Sequence, residues 1–171
     1  MTGFTYPSYH PARRVGSACT DAELETYFAD CYSSGNCSAF RTGGASEGCG
    51  TCLLPTSLDG ASYGPLLKLG TDTAYLSSTN LAGCIELVGE PECAAKIQVA
   101  QLCEYHACEH CGPSDSGNYR EQIACMTDAR SGVCAPEQTK AICIQSSAHV
   151  AACSGASSKM QFMTVAKIFC Q

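Results

Sequence analysis

The chain contains no tryptophan. Its large core formers are few as well: Leu, Ile, Val and Phe make up about 16% of the residues, below the roughly 20% that accompanies a conventional core. Scarcity of this kind often means disorder, but that outcome also needs a high net charge, and −6 over 171 residues is modest. No run approaches the 18 or more consecutive apolar residues of a membrane span. The ten Lys and Arg are outnumbered by sixteen Asp and Glu and are scattered. With a pI near 5.1, this argues against nucleic acid and anionic membranes as partners. There is no G-x-S-x-G elbow and no Gly-rich phosphate loop. The start, Met1-Thr2-Gly3-Phe4, has neither the charged nor the apolar region of a secretory signal.

What the chain has is cysteine. Fifteen of its 171 residues are cysteine, a level at which composition alone suggests a disulfide scaffold. Each native bridge contributes about 2–4 kcal/mol, so several replace much of a missing core. That chemistry needs an oxidising compartment. The expectation is a secreted or cell-surface protein whose leader was trimmed or whose start was assigned too late. Fifteen is odd, so at most seven pairs form within the chain. One thiol is left free, bonded to another chain, or paired with a segment outside this sequence.

Residues 1–18 read as a flexible arm, with Arg13-Arg14, two prolines and no periodicity. Thr20-Asp21-Ala22-Glu23 has the form of a capping box and predicts a helix over 21–33, with Leu24, Phe28 and Cys31 at helical spacing. A short helical piece surrounds Cys49 and Cys52 and stops at Pro55. The segments 66–69 and 74–76, separated by Gly70-Thr71-Asp72, predict a small β-hairpin. Asn80 caps a helix over 81–88 that Gly89 ends. Pro91 opens a long helix to about Cys111. Further helices are expected over 117–130 and from Pro136 to Ser146, the latter continuing with a bend towards Cys153. Ser157 or Ser158 caps a last helix, apolar on most sides and expected to be the most buried.

The cysteines divide into two groups. Residues 19–88 hold Cys19, Cys31, Cys37, Cys49, Cys52 and Cys84 together with the hairpin. Residues 89–171 hold Cys93, Cys103, Cys108, Cys111, Cys125, Cys134, Cys143, Cys153 and Cys170. Spacings of eight to eleven residues recur in both. Cys19-Thr20-Asp21-Ala22, Gly48-Cys49-Gly50-Thr51-Cys52, Tyr63-Gly64-Pro65-Leu66, Leu81-Ala82-Gly83-Cys84-Ile85-Glu86-Leu87, Cys103-x4-Cys108 and Cys125 carry a further signal. Over about residues 19–135 they give a pattern that resembles an uncharacterised group of cysteine-rich exported proteins and lipoproteins of predatory gliding soil bacteria. The resemblance implies export. The group has no assigned activity, so no catalytic residue carries across.

The densest chemical cluster is Cys103-Glu104-Tyr105-His106-Ala107-Cys108-Glu109-His110-Cys111. On a helix His106 and His110 share a face, with Cys103 close to it. Two imidazoles so placed can hold zinc or copper with a thiolate as third ligand. His106 to His110 also reads H-x-x-E-H, in which Glu109 would activate water in a metallohydrolase, and Glu121 or Glu137 would supply a further carboxylate. The simpler reading is a helix stapled to its neighbours by Cys93, Cys108 and Cys111 on the adjacent face, with histidines on its flank. Cys49-Gly50-Thr51-Cys52 and Cys108-Glu109-His110-Cys111 are C-x-x-C pairs, but no βαβ pattern surrounds the first and the second falls late in its helix, so structural cystines are the simpler reading of both. A Cu(I) store would need cysteines at i, i+3 and i+4 along several helices, and only those two pairs are so close. His149 has Ser146 and Ser147 beside it in sequence, and His10 lies in the arm. Neither stands out.

The sequence therefore predicts a mostly α, disulfide-rich helical bundle with a small β-hairpin. Its expected role is a non-enzymatic secreted or cell-surface module for binding or structure, with an extracellular ligand or protein as partner. The alternative is a zinc- or copper-binding protein or small metallohydrolase built on His106 and His110.

Overall fold

The computed structural model describes residues 8–58, 60–70, 75–108, 120–145 and 148–171. Thr20 opens the first helix as its capping box predicts: its hydroxyl accepts the Glu23 amide at 3.3 Å, and the Glu23 carboxylate accepts the Thr20 amide at 2.9 Å. Helix α1 (Asp21–Thr26) widens into a π-helical segment, Tyr27–Tyr32. A 3₁₀ turn, Ser38–Phe40, leads to α2 (Glu47–Leu53). The expected hairpin is present as β2 (Leu66–Gly70) against β3 (Tyr75–Thr79), in antiparallel register with Leu67 opposite Ser78. A two-residue strand that the sequence reading missed, β1 (Thr56–Ser57), adds parallel to β2. It is too short to leave a periodic pattern.

Asn80 caps α3 (Leu81–Leu87). Buried completely, it accepts the Gly83 amide at 2.8 Å and donates to the Gly64 carbonyl at 2.9 Å, so both ends of its amide are satisfied. Pro91 opens α4 (Pro91–Ala107), the 17-residue spine of the molecule. The chain then returns through α5 (Arg120–Ser131), α6 (Ala135–Lys140), a 3₁₀ segment (Ala141–Gln145) and α7 (Ala148–Cys153), before α8 (Ser158–Cys170), capped by Ser157. The helix expected from Pro136 to Ser146 gives way at Ala141 to the 3₁₀ segment, and the bend expected after it falls at residues 146 and 147, outside the described residues.

Fourteen cysteines form seven bridges, and the pattern they make is nested. Cys52–Cys170 encloses Cys84–Cys153, which encloses Cys93–Cys143, then Cys103–Cys134, then Cys108–Cys125. Separately, Cys19–Cys49 encloses Cys31–Cys37. No two bridges cross. Rungs fall nine or ten residues apart on the outgoing limb (Cys84, Cys93, Cys103) and again on the returning one (Cys134, Cys143, Cys153). The rhythm noted in the sequence is the spacing of a ladder between helices that run out and fold back. The fifteenth cysteine, Cys111, lies outside the described residues.

The halves drawn at residue 88 are joined by two of these bridges, Cys52–Cys170 and Cys84–Cys153, and one hydrophobic cluster draws on both. Its aromatic centre is Phe162 of α8, within 5.8 Å of the rings of Tyr27, Phe28 and Tyr32. Two glycines of the sequence fragments find their reason here. A Cβ on Gly50 would lie 1.7 Å from the Phe40 carbonyl oxygen, and one on Gly83 would lie 2.8 Å from the Phe169 ring. Helix α8 is not the most buried element. It buries five of thirteen residues while leaving Met160 55% exposed, whereas α4 buries nine of seventeen. Helix α4 is covered on several sides: by Leu67, Leu69 and Tyr63 from the sheet region, and by a small cluster of Cys103, Cys108, Ala129 and Cys134 on the returning limb.

The cap of α1 gives a pH test. Hydrogen bonds from the Thr20 amide, then from the Thr20 hydroxyl, hold the Glu23 carboxyl below its ordinary value of 4.5, with burial opposing them. A carboxyl depressed in the folded chain stabilises it above the unfolded pKa and loses that contribution as pH falls through the folded value. Glu23→Gln is therefore expected to unfold at lower urea than the wild type near neutrality, with the gap closing below pH 4.5. Urea midpoints across that range measure it, and a gap that ignores pH counts against the assignment.

Candidate functional site

The cluster that the sequence singled out is divided by the bridges. Cys103 is bonded to Cys134 and Cys108 to Cys125, so Cys103 offers no thiolate to a metal in this state. His106 sits half-buried in the last turn of α4, with the Tyr105 ring edge-on at 5.5 Å. Glu109 and His110 lie outside the described residues. Glu121 is exposed at the start of α5. Glu137 is buried and takes Lys140 at 2.8 Å. Among the described residues no group of three or more His, Cys, Asp or Glu is arranged to hold a metal ion.

The C-x-x-C pairs are likewise not closed on themselves. Cys49 reaches Cys19 and Cys52 reaches Cys170. The bridges also consume the thiols that a Cu(I) store would need. His149 pairs with Glu90 at 2.7 Å, while Ser146 and Ser147 lie outside the described residues.

His10 belongs to a docked segment rather than a loose one. The described part of the arm, residues 8–18, lies against the body through its main chain. Gln98, fully buried on α4, holds both polar groups of one peptide residue: its oxygen accepts the His10 amide at 2.7 Å and its nitrogen donates to the His10 carbonyl at 2.8 Å. Glu86 accepts the Ala12 amide at 2.7 Å. The Tyr63 amide donates to the Pro11 carbonyl and the Tyr63 carbonyl accepts the Arg13 amide, while the His10 ring stacks on Tyr63 at 4.8 Å. Further along, the Val15 and Ala18 amides donate to the Phe169 and Cys170 carbonyls of α8. Burial, then the Glu86 carboxylate beside it, push the Tyr9 phenol up. The sequence reading missed this docking because the contacts use backbone groups, and those have no composition signature.

A second buried polar residue was also invisible in sequence. Glu104 of α4 is 3% exposed and takes a bidentate grip from Arg130 at 2.7 and 2.9 Å and an amide from Gln138 at 2.6 Å. Its hydrogen bonds, then its charge, hold the Arg130 guanidinium above its ordinary value. Both of these partners lie on the returning limb, so Glu104 fixes that limb against α4.

A cleft of about 440 Å³ opens at the junction of α3 and α4. Glu90, Glu92 and Lys96 line it, and both halves of the Cys93–Cys143 bridge are on its wall. His149 reaches Glu90 from α7. The cleft thus brings an acidic pair, one cation and a cystine to a single open surface.

Compared with known proteins, the chain matches no family model, no curated protein and no solved structure.

The arm can be tested cheaply, because Arg13 and Arg14 are exposed trypsin sites. Gln98→Leu leaves the His10 amide and carbonyl without their partners, at a cost of about 1–3 kcal/mol. Trypsin is expected to cut after Arg13 or Arg14 about tenfold faster in the variant, followed by mass spectrometry under native conditions. An unchanged cutting rate would show that Gln98 does not hold the arm.

Proposed function

We propose that this chain is a secreted or cell-surface module, stabilised by disulfides, whose role is binding or structural rather than catalytic. The observation that carries the reading is the engagement of fourteen cysteines in seven bridges that join elements distant in sequence. So many bridges persist only where the surroundings are oxidising. The acidic charge of −6 and the lack, among the described residues, of a helix long and apolar enough to cross a membrane fit a partner met outside the cell. The likeness to exported proteins of predatory gliding bacteria supports the same compartment. The open cleft beside Glu90 and Lys96 is a surface for contact.

Material produced through an oxidising export route and titrated for thiols in denaturant is expected to show about one free thiol per chain. More than about three, after full oxidation, overturns the scaffold. Complete reduction should unfold the chain, seen as loss of far-UV ellipticity, since several bridges at about 2–4 kcal/mol each exceed the net stability of a domain. Stoichiometric zinc or copper surviving dialysis against a weak chelator overturns the metal-free reading.

A further inference from the structure

The bridges differ in how they meet solvent. Most half-cystines are buried, but Cys143 is half-buried, and it faces the 440 Å³ cleft together with Cys93. A second cleft reaches Cys31–Cys37. It is smaller, about 170 Å³; both its sulfur residues are buried, and Tyr27, Tyr32 and Pro55 rather than any cation share its wall. Cys125 is also half-buried, but its partner Cys108 caps the C-terminal end of α4. Negative charge is disfavoured at that end of a helix.

Cys93 sits in the opposite place, in the first turn of the same 17-residue helix, with Lys96 a turn further on and in the same cleft. A thiolate released there is stabilised by the helix dipole and by the ammonium. Glu92 opposes this, while Glu90 is engaged by His149 at 2.7 Å. The ladder supplies the remaining condition. Cys93–Cys143 is a middle rung, with Cys84–Cys153 on one side and Cys103–Cys134 on the other. Opening it leaves the limbs tied on both sides.

We propose that Cys93–Cys143 is an exchange site, at which a thiol from outside the chain attaches to Cys143 without unfolding the protein. An incoming thiolate attacks the Cys143 Sγ; its bond to that sulfur forms as the Cys93–Cys143 bond breaks, and the electron pair leaves on the Cys93 Sγ. A second thiol attacks the mixed disulfide and releases the Cys143 thiolate with an oxidised thiol pair, so two electrons pass from thiols to cystine. The proposal rests on the bridged scaffold argued under the proposed function.

The test uses the full chain. A first treatment with N-ethylmaleimide, without reductant, blocks and counts thiols already open, so failure of the scaffold registers on its own. Limiting reduced glutathione, or neutral 2-mercaptoethanol, is then applied, and the reaction is quenched with iodoacetamide and mapped by mass. Cys93 is expected to take the second label and Cys143 the thiol adduct, about tenfold faster than any other bridge opens, with far-UV ellipticity retained. Lys96→Gln is expected to slow this phase about threefold with both thiols. The double variant Cys93→Ser/Cys143→Ser should keep six bridges and lose the fast phase. Earlier opening of Cys31–Cys37 or Cys108–Cys125, simultaneous opening of all bridges, an adduct on Cys93, an unchanged rate in Lys96→Gln, or a fast phase surviving in the double variant each overturns the proposal.

Discussion

The covalent ladder between the outgoing helices α3 and α4 and the returning helices α5 to α7 is the constraint on which the other features depend. With so few large aliphatic residues, the limbs have little apolar area with which to find one another. The packing between α4 and the α5–α6 turn consists of cysteines, two alanines and Met126. Area of that size stabilises weakly at about 25 cal/mol per Å². The bridges lower the entropy of the unfolded chain instead. They also allow Glu104 to be buried, because its partners Arg130 and Gln138 are delivered by a limb that cannot drift away. A buried carboxylate without such partners would be costly.

Helix α4 carries three separate tasks along its length. Its first two turns present Cys93 and Lys96 to the open cleft. Its middle places Gln98 against the arm. Its later turns hold Glu104, the bridge at Cys103 and the sheet-facing Leu102. A helix covered on several sides cannot show a single apolar stripe, so its polar buried positions, Gln98 and Glu104, read in sequence like surface residues.

That accounts for what could and could not be read beforehand. Element positions were legible where local chemistry decides them: the Thr20–Glu23 box, the Asn80 cap, Pro91 at a helix start, and the paired runs of the hairpin. Side-chain roles set by distant partners were not. His106 and Cys103 suggested a metal because they are neighbours along the chain, yet the Cys103 sulfur belongs to Cys134, on the returning limb. The arm was misjudged for a related reason, since a segment held by main-chain hydrogen bonds needs no periodic side chains. One signal for connectivity was present: nine- and ten-residue spacings recur on both sides of the segment between Cys108 and Cys125. Similar spacing on two limbs is what antiparallel helices tied at successive rungs produce.

Nested connectivity also bears on how such a chain is oxidised as it is made. The separation of 118 residues between Cys52 and Cys170 greatly overstates the loop that this bond has to close. Once Cys108–Cys125 has formed, at a separation of 17, each outer pair is brought near by the pair inside it, and loop-closure entropy is incurred only for the short stretches between rungs. Because no bridges cross, pairing outwards from the turn never traps one bond behind another. Cys31–Cys37 and Cys19–Cys49 can close while later residues are still emerging. Cys52 alone must wait for Cys170, the last cysteine in the sequence, and their bond fastens α2 to α8 after the rest of the ladder is in register.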